Sequence, residues 1–583
     1  MKVSDYIVEY LISKGVTDVF GYPGGMVTHL MDSFSKYEDK ISQHVCFHEQ
    51  AGAFEACGYA QRSGKLGVAF ATSGPGATNL ITGICDAWFD SIPVLFITGQ
   101  VNTNEMKGQY HVRQRGFQET DVVSMVKGVT KYAKTVTNTE DIPDEFDNAL
   151  ETAFDGRKGP VLLDIPMNVL RSEIEVEGPI NALTAKNKQH IISGEEDLQA
   201  TSAAKKIIED LKSSSRPCII AGCGIKDDNT IPIFRRVVSS LKVPVLTTMP
   251  AFDLLTTDDP YNYGFIGAYG NRAANFIAAK SDLVITLGAR LDVRQVGGVR
   301  KNFVPNAKLL RVDIDAGELG YHVRDDEEDI LADAREVITA LEKLIPESSI
   351  NLWSGRNAWI NVCDEIKGTL QNVQSDSQNA TDLTHAIGEI LPDGITITTD
   401  VGQNQVWVAQ ALKVQEHQRV LFSGGHGTMG YSLPSAIGAY YGTREPVIAF
   451  MGDGGLQMNI QELEFLQRDQ IPVKVVVFNN YALGMIRHFQ EMYFDCNYVD
   501  TLCGHGYDVP DLSRIAKAYD LEYHRIVTKE QIKSSLFEGD KPSLIEVCIP
   551  ENTYVYPKLR FGEPNQDQEP LLPRDKYNWL MSL

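Results

Sequence analysis

The amino-acid sequence predicts an α/β protein built from three consecutive doubly wound domains, each with a parallel sheet. Short apolar runs rich in β-branched residues occur in three separate blocks, and segments with helical periodicity lie between the runs. Continuous apolar strands are typical of parallel sheets covered on both faces. Regular alternation of strands with helices is typical of α/β domains. The length of 583 residues also exceeds what one hydrophobic core supports.

The predicted strands define the three blocks. In the first block they are Gly67–Thr72 and Pro93–Thr98, with a helix between them. In the other two blocks they are Pro217–Ala221, Val243–Thr247, Leu283–Leu287, Leu309–Asp313, Ile395–Thr399, Pro446–Phe450, Val473–Phe478 and Ser543–Cys548. The boundaries that follow are domains at 1–170, 195–345 and 380–550, with a tail or lid at 551–583. Linkers are predicted in the polar stretch 172–196 and, within 347–382, around Gln374–Gln378.

Composition and charge argue against several classes of protein. Hydrophobic residues make up 43% of the chain and charged residues 22%, as in an ordinary globular protein. The formal net charge of −23 argues against nucleic acid or an anionic membrane as the main partner. The N-terminal residues lack the basic segment and apolar run of a signal peptide, and no apolar stretch is long enough to span a membrane. We therefore expect a cytoplasmic protein.

The most informative local pattern lies at the ends of two predicted strands in the third block. Gly452, Asp453, Gly454 and Gly455 follow one strand, and Asn480 follows the next, 27 residues after Asp453. Neighbouring strands of a parallel sheet end at the same edge, so both side chains can point at one spot there. Their oxygens suit Mg²⁺, which also takes phosphate oxygens, and the glycines let backbone N–H groups approach a diphosphate. A tight turn is the alternative explanation for Gly-Asp-Gly alone.

The combination resembles the thiamine diphosphate (ThDP) motif, in which Gly-Asp-Gly is followed downstream by Asn-Asn. The resemblance implies that Asp453, Asn480 and the main-chain carbonyl of Ala482 hold the metal ion.

ThDP chemistry also needs a carboxylic acid at N1′ of the pyrimidine, where it stabilises the imino tautomer that removes the thiazolium C2 proton. Glu49 fits this role, since it lies at a predicted helix start among apolar and small residues. A glutamate favoured by the helix macrodipole is the alternative explanation for that position taken alone.

Motifs along nearly the whole chain resemble one family of ThDP enzymes, the acetolactate synthase (acetohydroxyacid synthase) catalytic subunits. These motifs are Gly21–Gly25, His48–Gln50, Gly58–Ala60, Thr72–Asn79, Asp90–Pro93, Thr98–Gln100, Phe117–Asp121, Asp400–Gln403, Ser423–Gly430 and Gly484–Met485. The resemblance implies that Glu49 is the proton-relay carboxylate. It also implies that the active site lies between the first domain of one chain and the third domain of another, in a homodimer or homotetramer.

Further residues take roles only through this resemblance. Met429 would be the bulky wedge beneath the cofactor, and Phe117 and Gln118 would border the reacting carbon from the partner subunit. The substrate contacts would be Gly25, Arg294 and Phe489. The other ThDP contacts would be Val401, Gly402, Gln403, Gly427, Gly452, Gly454, Gly455, Gly484 and Met485.

The middle block resembles the family's flavin-binding domain. Gly222 and Gly224 lie in a turn after a strand and could cradle a pyrophosphate, with which Arg290 could pair. Asp313 ends a further matching strand. The resemblance implies bound FAD in a structural role, because decarboxylation and ligation are redox-neutral. A domain that keeps the fold and has lost the flavin is the alternative.

Four departures from the family pattern bear on the acceptor substrate. The segment before Phe117 is longer than in typical members and contains Arg113 and Arg115, which suit an anionic or phosphorylated acceptor or else belong to a solvated loop. Three substitutions are Phe489 for a family Trp, His426 for a family Leu and Asn404 for a family His. The smaller ring at position 489 enlarges the acceptor pocket, and the imidazole at position 426 is either a proton donor or a space-filling group.

The sequence therefore predicts a ThDP-dependent carboligase that decarboxylates pyruvate and transfers the hydroxyethyl (acetyl) unit to a second 2-keto acid, giving 2-acetolactate. The alternative is a specialised carboligase whose acceptor is another ketone, such as a nucleotide-linked keto sugar. A non-ligating decarboxylase and a non-catalytic scaffold are weaker alternatives, and the scaffold would have lost Glu49, Asp453 or Asn480, which are all present. A small regulatory subunit is considered as a further partner.

Overall fold

A computed structural model of the protein describes residues 1–176, 194–345, 353, 356–370 and 378–583. The described residues form three parallel sheets of six strands each, one in each predicted block, with helices between the strands. The predicted fold class is confirmed. Of the predicted linkers, residues 177–193 and 374–377 lie outside the described residues.

The first sheet has its most buried strands at its centre. Its strands are β1 (Asp18–Gly21), β2 (Ser42–Val45), β3 (Gly67–Ala71), β4 (Val94–Gln100), β5 (Tyr132–Thr135) and β6 (Val161–Pro166). The spatial order is β2-β1-β3-β4-β6-β5. The helices of this part are α1 (Val3–Ser13), α2 (Thr28–Lys36), α3 (Glu49–Ser63), α4 (Pro75–Asn79), α5 (Ile81–Phe89), α6 (Val122–Val126), α7 (Ile142–Phe154) and α8 (Met167–Arg171).

The middle sheet has an apolar core of its own. Its strands are β7 (Pro217–Ala221), β8 (Val245–Thr247), β9 (Asn262–Phe265), β10 (Leu283–Leu287), β11 (Lys308–Asp313) and β12 (Glu328–Leu331), in the order β12-β11-β10-β7-β8-β9. The helices are α9 (Gly194–Ser213), α10 (Thr230–Leu241), α11 (Arg272–Lys280), α12 (Val293–Val296), α13 (Ala316–Leu319), α14 (Ala334–Leu344) and α15 (Arg356–Leu370).

The third sheet carries the predicted metal motif. Its strands are β13 (Thr396–Thr399), β14 (Arg419–Phe422), β15 (Val447–Gly452), β16 (Val473–Asn479), β19 (Glu522–Ile526) and β20 (Ser543–Cys548), and β17 (Leu502–Cys503) pairs with β18 (Gly506–Tyr507) nearby. The order is β14-β13-β15-β16-β20-β19. The helices are α16 (Gln378–Ile390), α17 (Gln403–Ala411), α18 (Ser432–Thr443), α19 (Asp453–Met458), α20 (Glu462–Asp469), α21 (Gly484–Tyr493), α22 (Leu512–Ala518) and α23 (Arg574–Ser582).

All ten predicted strands are present, with ends that differ by up to two residues. Two helices follow β15: α19 begins at Asp453, directly after the strand, and α20 begins at Glu462. The start of α19 is favoured by Asp453, whose acidic side chain suits the first turn of a helix.

Helix α15 lies within the stretch 347–382, before the linker predicted around Gln374–Gln378, and no element was predicted at its position. Its buried residues are Trp359, Cys363, Ile366 and Leu370, which recur at helical spacing and belong to the core of the middle part. The indole Nε1 of Trp359 donates to the carbonyl of Pro217 at 3.0 Å. The flanking polar residues concealed this pattern in the sequence.

The C-terminal residues after β20 run back over the middle sheet. Arg272 donates to the carbonyls of Gln568 and Pro570, and the side chain of Leu580 is fully buried in the middle core. The segment predicted as a tail or lid is therefore held along the middle part and ends in helix α23.

Helices α3 and α18 join the first and third parts of the chain through direct backbone contact. A Cβ atom added to Gly438 would lie 1.8 Å from the carbonyl oxygen of Glu55, and one added to Gly58 would lie 2.1 Å from that of Ser435. Only glycine allows so close an approach. The side chains around this crossing form one apolar core shared by both parts.

Among the described residues, no helix combines the length and apolar character that crossing a membrane requires.

Replacing Gly438 with Ala should destabilise the fold by about 2 kcal/mol or more, because an overpacked backbone contact forces the two helices apart. Gly368→Ala is the matched control, since a Cβ there meets nothing within 4 Å and the helix should gain roughly 1 kcal/mol. Chemical denaturation of both variants measures the difference. Equal stability of the two would contradict the close packing of α3 on α18.

Candidate active site

The metal motif lies at the carboxyl edge of two paired strands. Strands β15 and β16 run side by side up to the pair Gly452 and Phe478. Asp453 follows β15 directly as the first residue of α19, and Asn480 follows β16. The structure thus places both predicted ligands at the same edge of the sheet.

Asp453 is almost completely buried, with 2% of its surface exposed. Its Oδ1 accepts from the backbone N–H of Gly454 at 2.6 Å and from the hydroxyl of Tyr507 at 2.9 Å. Burial raises the pKa of Asp453 to about 6, although hydrogen bonds from Tyr507 and from backbone N–H groups, including that of Ala482, lower it. Its Oδ2 is buried without a hydrogen-bond partner among the described residues. A buried, unpartnered carboxylate oxygen is costly unless a cation or a donor faces it.

Asn480 is held by Gln403 of helix α17. Its Nδ2 donates to Oε1 of Gln403 at 3.1 Å, and Nε2 of Gln403 donates to the carbonyl of Thr553 at 3.0 Å. This chain of bonds fixes the amide of Asn480, so that its oxygen faces away from Gln403. A Cβ at Gly484 would lie 1.9 Å from Oε1 of Gln403, so the glycine makes room for this contact.

The turn before α17 brings the backbone of Val401 and Gly402 to the same edge. Gly402 has φ of 144°, which L residues with a side chain rarely adopt. The side-chain Nδ2 of Asn404 approaches the positions a Cβ would take on Gly402 and Gly452, at 3.1 and 3.5 Å. Asn404 therefore belongs to this cluster, and its Oδ1 is buried without a partner among the described residues.

Met429 reaches the same cluster from the loop before α18. Its Cε lies 3.3 Å from the position of a Cβ on Gly454, and the preceding Gly427 has φ of 75°. Gly455 lies against Asp400, whose Oδ1 would be 2.5 Å from an added Cβ. Met485 is half-buried on α21 and packs against the apolar core of the third part. The predicted ThDP contacts are thereby gathered in one place.

These residues fit a divalent cation and a diphosphate. The unpartnered Oδ2 of Asp453 and the amide oxygen of Asn480 are the hard donors that Mg²⁺ prefers. Glycine at 455 and 484 makes room for Asp400 and Gln403, and a Cβ on Gly452 would meet only Nδ2 of Asn404, at 3.5 Å. The donor set is small, as is usual for Mg²⁺ bound together with phosphate oxygens.

Glu49 lies in a second cluster, within the first part of the chain. It begins α3, is 9% exposed and accepts at Oε2 from Nδ2 of Asn79 at 2.9 Å. Its Oε1 lies 3.0 Å from the position of a Cβ on Gly76. The helix start and the burial expected from the sequence are present, and the carboxylate is oriented by Asn79.

Gln118 and Gly25 adjoin this second cluster. Gln118 has a φ of 66°. Its Cβ lies 2.9 Å from the position that a Cβ would take on Gly74, and Gly74 lies in the turn that leads to Gly76 and Asn79. Gly25 begins a short 3₁₀ turn whose next residue, Met26, donates its backbone N–H to Thr72.

The other predicted substrate residues are exposed in the single chain. Phe117 is 80% exposed and Phe489 is 51% exposed. Arg294 is exposed on the short helix α12, with its guanidinium 6.0 Å from the ring centre of Tyr269. No hydrogen bond or ring contact within the described residues joins Arg294 to Phe489.

The predicted flavin residues lie at the carboxyl edge of β7, β10 and β11. Gly222 donates its N–H to the carbonyl of Leu287 and Gly224 to that of Gly288, both at 3.0 Å. These two N–H groups therefore already donate hydrogen bonds within the protein. The absence of side chains on the two glycines lets the two turns approach each other closely. Arg290 keeps 30% of its side chain exposed and bonds to Asp292 at 3.1 Å. Burial raises the pKa of Asp313 at the end of β11.

Two residues that orient predicted site residues were missed in the sequence. Tyr507 lies 54 positions after Asp453, and Asn79 lies 30 positions after Glu49. Asn79 ends the Thr72–Asn79 motif, which was a usable signal. Tyr507 ends the two-residue strand β18, and no sequence pattern indicates its contact.

Comparisons with known proteins agree with this arrangement. Family models of thiamine pyrophosphate enzymes match in three parts: the N-terminal TPP-binding domain over residues 1–125, the central domain over 204–341 and the C-terminal TPP-binding domain over 400–547. The acetolactate synthase isozyme 2 large subunit of Escherichia coli (strain K12) is 33% identical over 97% of this chain and 99% of its own length. The chain belongs to the acetolactate synthase large subunit family.

Other members of the acetolactate synthase large subunit family show the same extent of similarity. The large subunit of Lactococcus lactis is 35% identical over 96% of this chain and 94% of its own length. The rice protein named acetolactate synthase 1, chloroplastic, is 32% identical over 97% of this chain and 87% of its own length. The predicted family is confirmed, and the comparisons give no support to the nucleotide-linked keto sugar alternative.

Replacing Asp453 with Asn should weaken Mg²⁺-dependent ThDP binding at least about 100-fold, because the variant loses the charged ligand. Tyr507→Phe removes only the hydrogen bond that orients Asp453 and should cost roughly tenfold. Calorimetric titration of ThDP at fixed Mg²⁺ measures both. Unchanged affinity in the Asp453 variant would remove this residue from the metal site.

Proposed function

We propose that the chain is the catalytic subunit of an acetolactate synthase, which decarboxylates pyruvate and passes the two-carbon unit to a second 2-keto acid. The observation that carries the proposal is the buried, unpartnered Oδ2 of Asp453 at the strand edge shared with Asn480. The family of the chain supports the same reaction. Relatives that carry the name acetolactate synthase come from bacteria and from rice.

The residues of the third part would bind the cofactor by its charged end. Asp453, Asn480 and the carbonyl of Ala482 would hold Mg²⁺, while Val401, Gly402 and Gln403 would lie along the diphosphate. When bound, ThDP supplies the carbon that bonds to the keto carbon of pyruvate and accepts the electrons left when CO₂ departs. Met429 would press on the cofactor from below, and the glycines would exclude other side chains.

Glu49 would hold a proton at the far end of the cofactor. Oε2 of Glu49 already accepts a hydrogen bond from Asn79, so Oε1 is the oxygen that would form a hydrogen bond with the pyrimidine ring. We propose that Glu49 serves the cofactor of a partner chain, in a homodimer or homotetramer, as the resemblance to the family implies. Phe117 and Gln118 would face the reacting carbon from the same side, which accounts for the exposure of Phe117 in the single chain.

Changing Glu49 to Gln should lower the rate of 2-acetolactate formation from pyruvate at least about 100-fold, because the amide cannot relay the proton. ThDP affinity should change little. The matched control is Glu55→Gln on the same helix: burial raises the pKa of Glu55 far above its ordinary value, so it is already neutral and the rate should stay within about twofold. Full activity of the Glu49 variant would refute the relay role.

Mixing the Glu49→Gln and Asp453→Asn chains tests where the site is formed. If each site joins two chains, half of the randomly paired dimers contain one intact site, and about a quarter of the wild-type activity returns. If each site lay within one chain, no mixture would recover activity. Size-exclusion chromatography of the mixture verifies that chains have exchanged.

The partners follow from the same proposal. The second substrate would be pyruvate or another 2-keto acid, recognised near Arg294 and Phe489 with Gly25 from the neighbouring chain. Because the relatives are named large subunits, a small subunit is proposed as a further partner. A cytoplasmic location remains part of the proposal.

We also propose that the middle part binds FAD in a structural role. Arg290 would pair with the pyrophosphate, since its guanidinium is partly exposed at the strand edge, and Asp313 lies at the end of the neighbouring strand. Gly222 and Gly224 would act by letting the turns approach closely, because their N–H groups bond to carbonyls.

The purified protein should be yellow, and Arg290→Gln should weaken flavin binding about tenfold through loss of a charge-assisted contact. Visible absorbance of the protein and of its released flavin measures the content. Arg300→Gln, at an exposed arginine that bonds to the carbonyl of His322, is the control and should keep the flavin. A colourless wild-type protein that takes up no added FAD would contradict the flavin proposal and leave the ThDP proposal untouched.

A further inference from the structure

The loop of residues 423–430, called here the Met429 loop, depends on contacts from the first part of the same chain. Four of its eight residues are glycine, and Gly427 and Gly430 have φ of 75° and 81°. Such a loop has a large conformational entropy when nothing holds it. The acidic C-terminal end of helix α5, with Asp86 and the following Asp90, contacts it along its length.

Asp86 closes the loop on itself. Its side chain is fully buried, and its Oδ1 accepts from Oγ of Ser423 at 2.5 Å and from Oγ1 of Thr428 at 3.2 Å. Oγ of Ser423 in turn accepts from the backbone N–H of Thr428 at 2.9 Å. One carboxyl group thereby ties residue 423 to residue 428, next to Met429.

Asp90 holds the middle of the loop by its backbone. Its Oδ2 accepts from the N–H of Gly424 at 2.8 Å and its Oδ1 from that of Gly425 at 2.7 Å. A Cβ on Gly425 would lie 2.7 Å from Cβ of Phe89, so a larger residue could not approach this acid. Hydrogen bonds to a charged acceptor are about twice as strong as neutral ones.

The ring of His426 completes the contact from the tip of the loop. It stacks on Phe89, with ring centres 5.4 Å apart and planes at 5°. The sequence left open whether His426 donates a proton or fills space. Its stacking on the last residue of α5 favours the packing role.

Burial and the neighbouring charged groups shift the pKa values of Asp86 and Asp90 by different amounts. Asp86 faces Asp90 and Asp400, and burial raises its pKa well above the ordinary value, so it is neutral. Burial also raises the pKa of Asp90 to about 6, while the N–H groups of the loop and the guanidinium groups of Arg290 and Arg157 lower it. Asp90 is therefore an anionic acceptor above about pH 6.

We propose that Asp86 and Asp90 are positioning residues for catalysis: they fix the Met429 loop of their own chain and so hold Met429 rigidly where it presses on ThDP. The inference rests on the proposed function, since it needs bound ThDP. A side chain that shapes a cofactor acts only if its own backbone is held. Cε of Met429 lies 3.3 Å from the position of a Cβ on Gly454, so any movement of the loop would shift Met429 relative to the proposed cofactor site.

The test compares Asp90→Asn and Ser423→Ala with the control Asp164→Asn in the full-length protein. Asp164 is a matched control for the acid-to-amide change, because it is buried in the first part and burial raises its pKa to about 6. Its carboxylate accepts hydrogen bonds from Thr98, Gln100 and Thr135, away from the loop. The readouts are ThDP affinity by calorimetry, kcat, and exchange of the C2 proton of bound ThDP by quench NMR.

We expect both loop variants to slow C2-proton exchange and kcat about tenfold while thermal stability falls no more than in the Asp164 variant. In the wild type, C2-proton exchange should slow as pH falls through about 6, where Asp90 becomes neutral. Asp90→Asn should lose that acidic limb, and Asp164→Asn should keep it.

Two outcomes would overturn the inference. Either exchange and kcat in both loop variants match the Asp164 control, or the acidic limb persists in Asp90→Asn. If wild-type protein binds ThDP and forms 2-acetolactate in those experiments, only the positioning role fails. Absence of ThDP binding by the wild type would instead sink the proposed function itself.

Discussion

The backbone contact between helices α3 and α18 sets how the first and third domains of one chain face each other. At this crossing, glycines replace side chains, and neither helix can slide without a collision between Gly438 and the carbonyl of Glu55. Glu49 is the first residue of α3, and the Met429 loop ends just before α18. The acid proposed to relay the proton and the loop proposed to shape the cofactor therefore belong to one rigid unit, although in the proposed dimer they serve different active sites.

The same interface contains several buried acids, which disfavour it electrostatically. Burial raises the pKa of Glu55 and Asp86 far above the ordinary range, and that of Glu462 to about 8, with few opposing charges nearby. Both oxygens of Glu55 lack partners among the described residues. Such groups cost folding free energy even when neutral. For Asp86, the contacts that it and Asp90 make with the Met429 loop indicate a requirement of function rather than of stability.

The sequence was sufficient wherever the signal is local. Apolar runs bounded by Gly or Pro predicted the strands, and the positions of Asp453 and Asn480 directly after two strands predicted that both lie at one edge, because strand ends in a parallel sheet share an edge. Helix α15 was missed although its buried residues recur at helical spacing, since polar flanks surround it. Contacts such as Asp86 with Ser423, 337 residues apart, leave no local pattern, so they required the structure.

The four departures from the family pattern make different contacts in the structure. His426 stacks on Phe89, and Asn404 lies among the diphosphate residues. Arg115 is held locally: its N–H bonds to Glu119, its guanidinium bonds to the carbonyl of Met106 and lies 5.8 Å from the ring of Tyr110. These contacts give His426, Asn404 and Arg115 structural roles within the chain. Phe489 is exposed on α21, with its ring centre 4.6 Å from that of Tyr493, and under the proposed function it is the substitution that bears on which 2-keto acid is accepted.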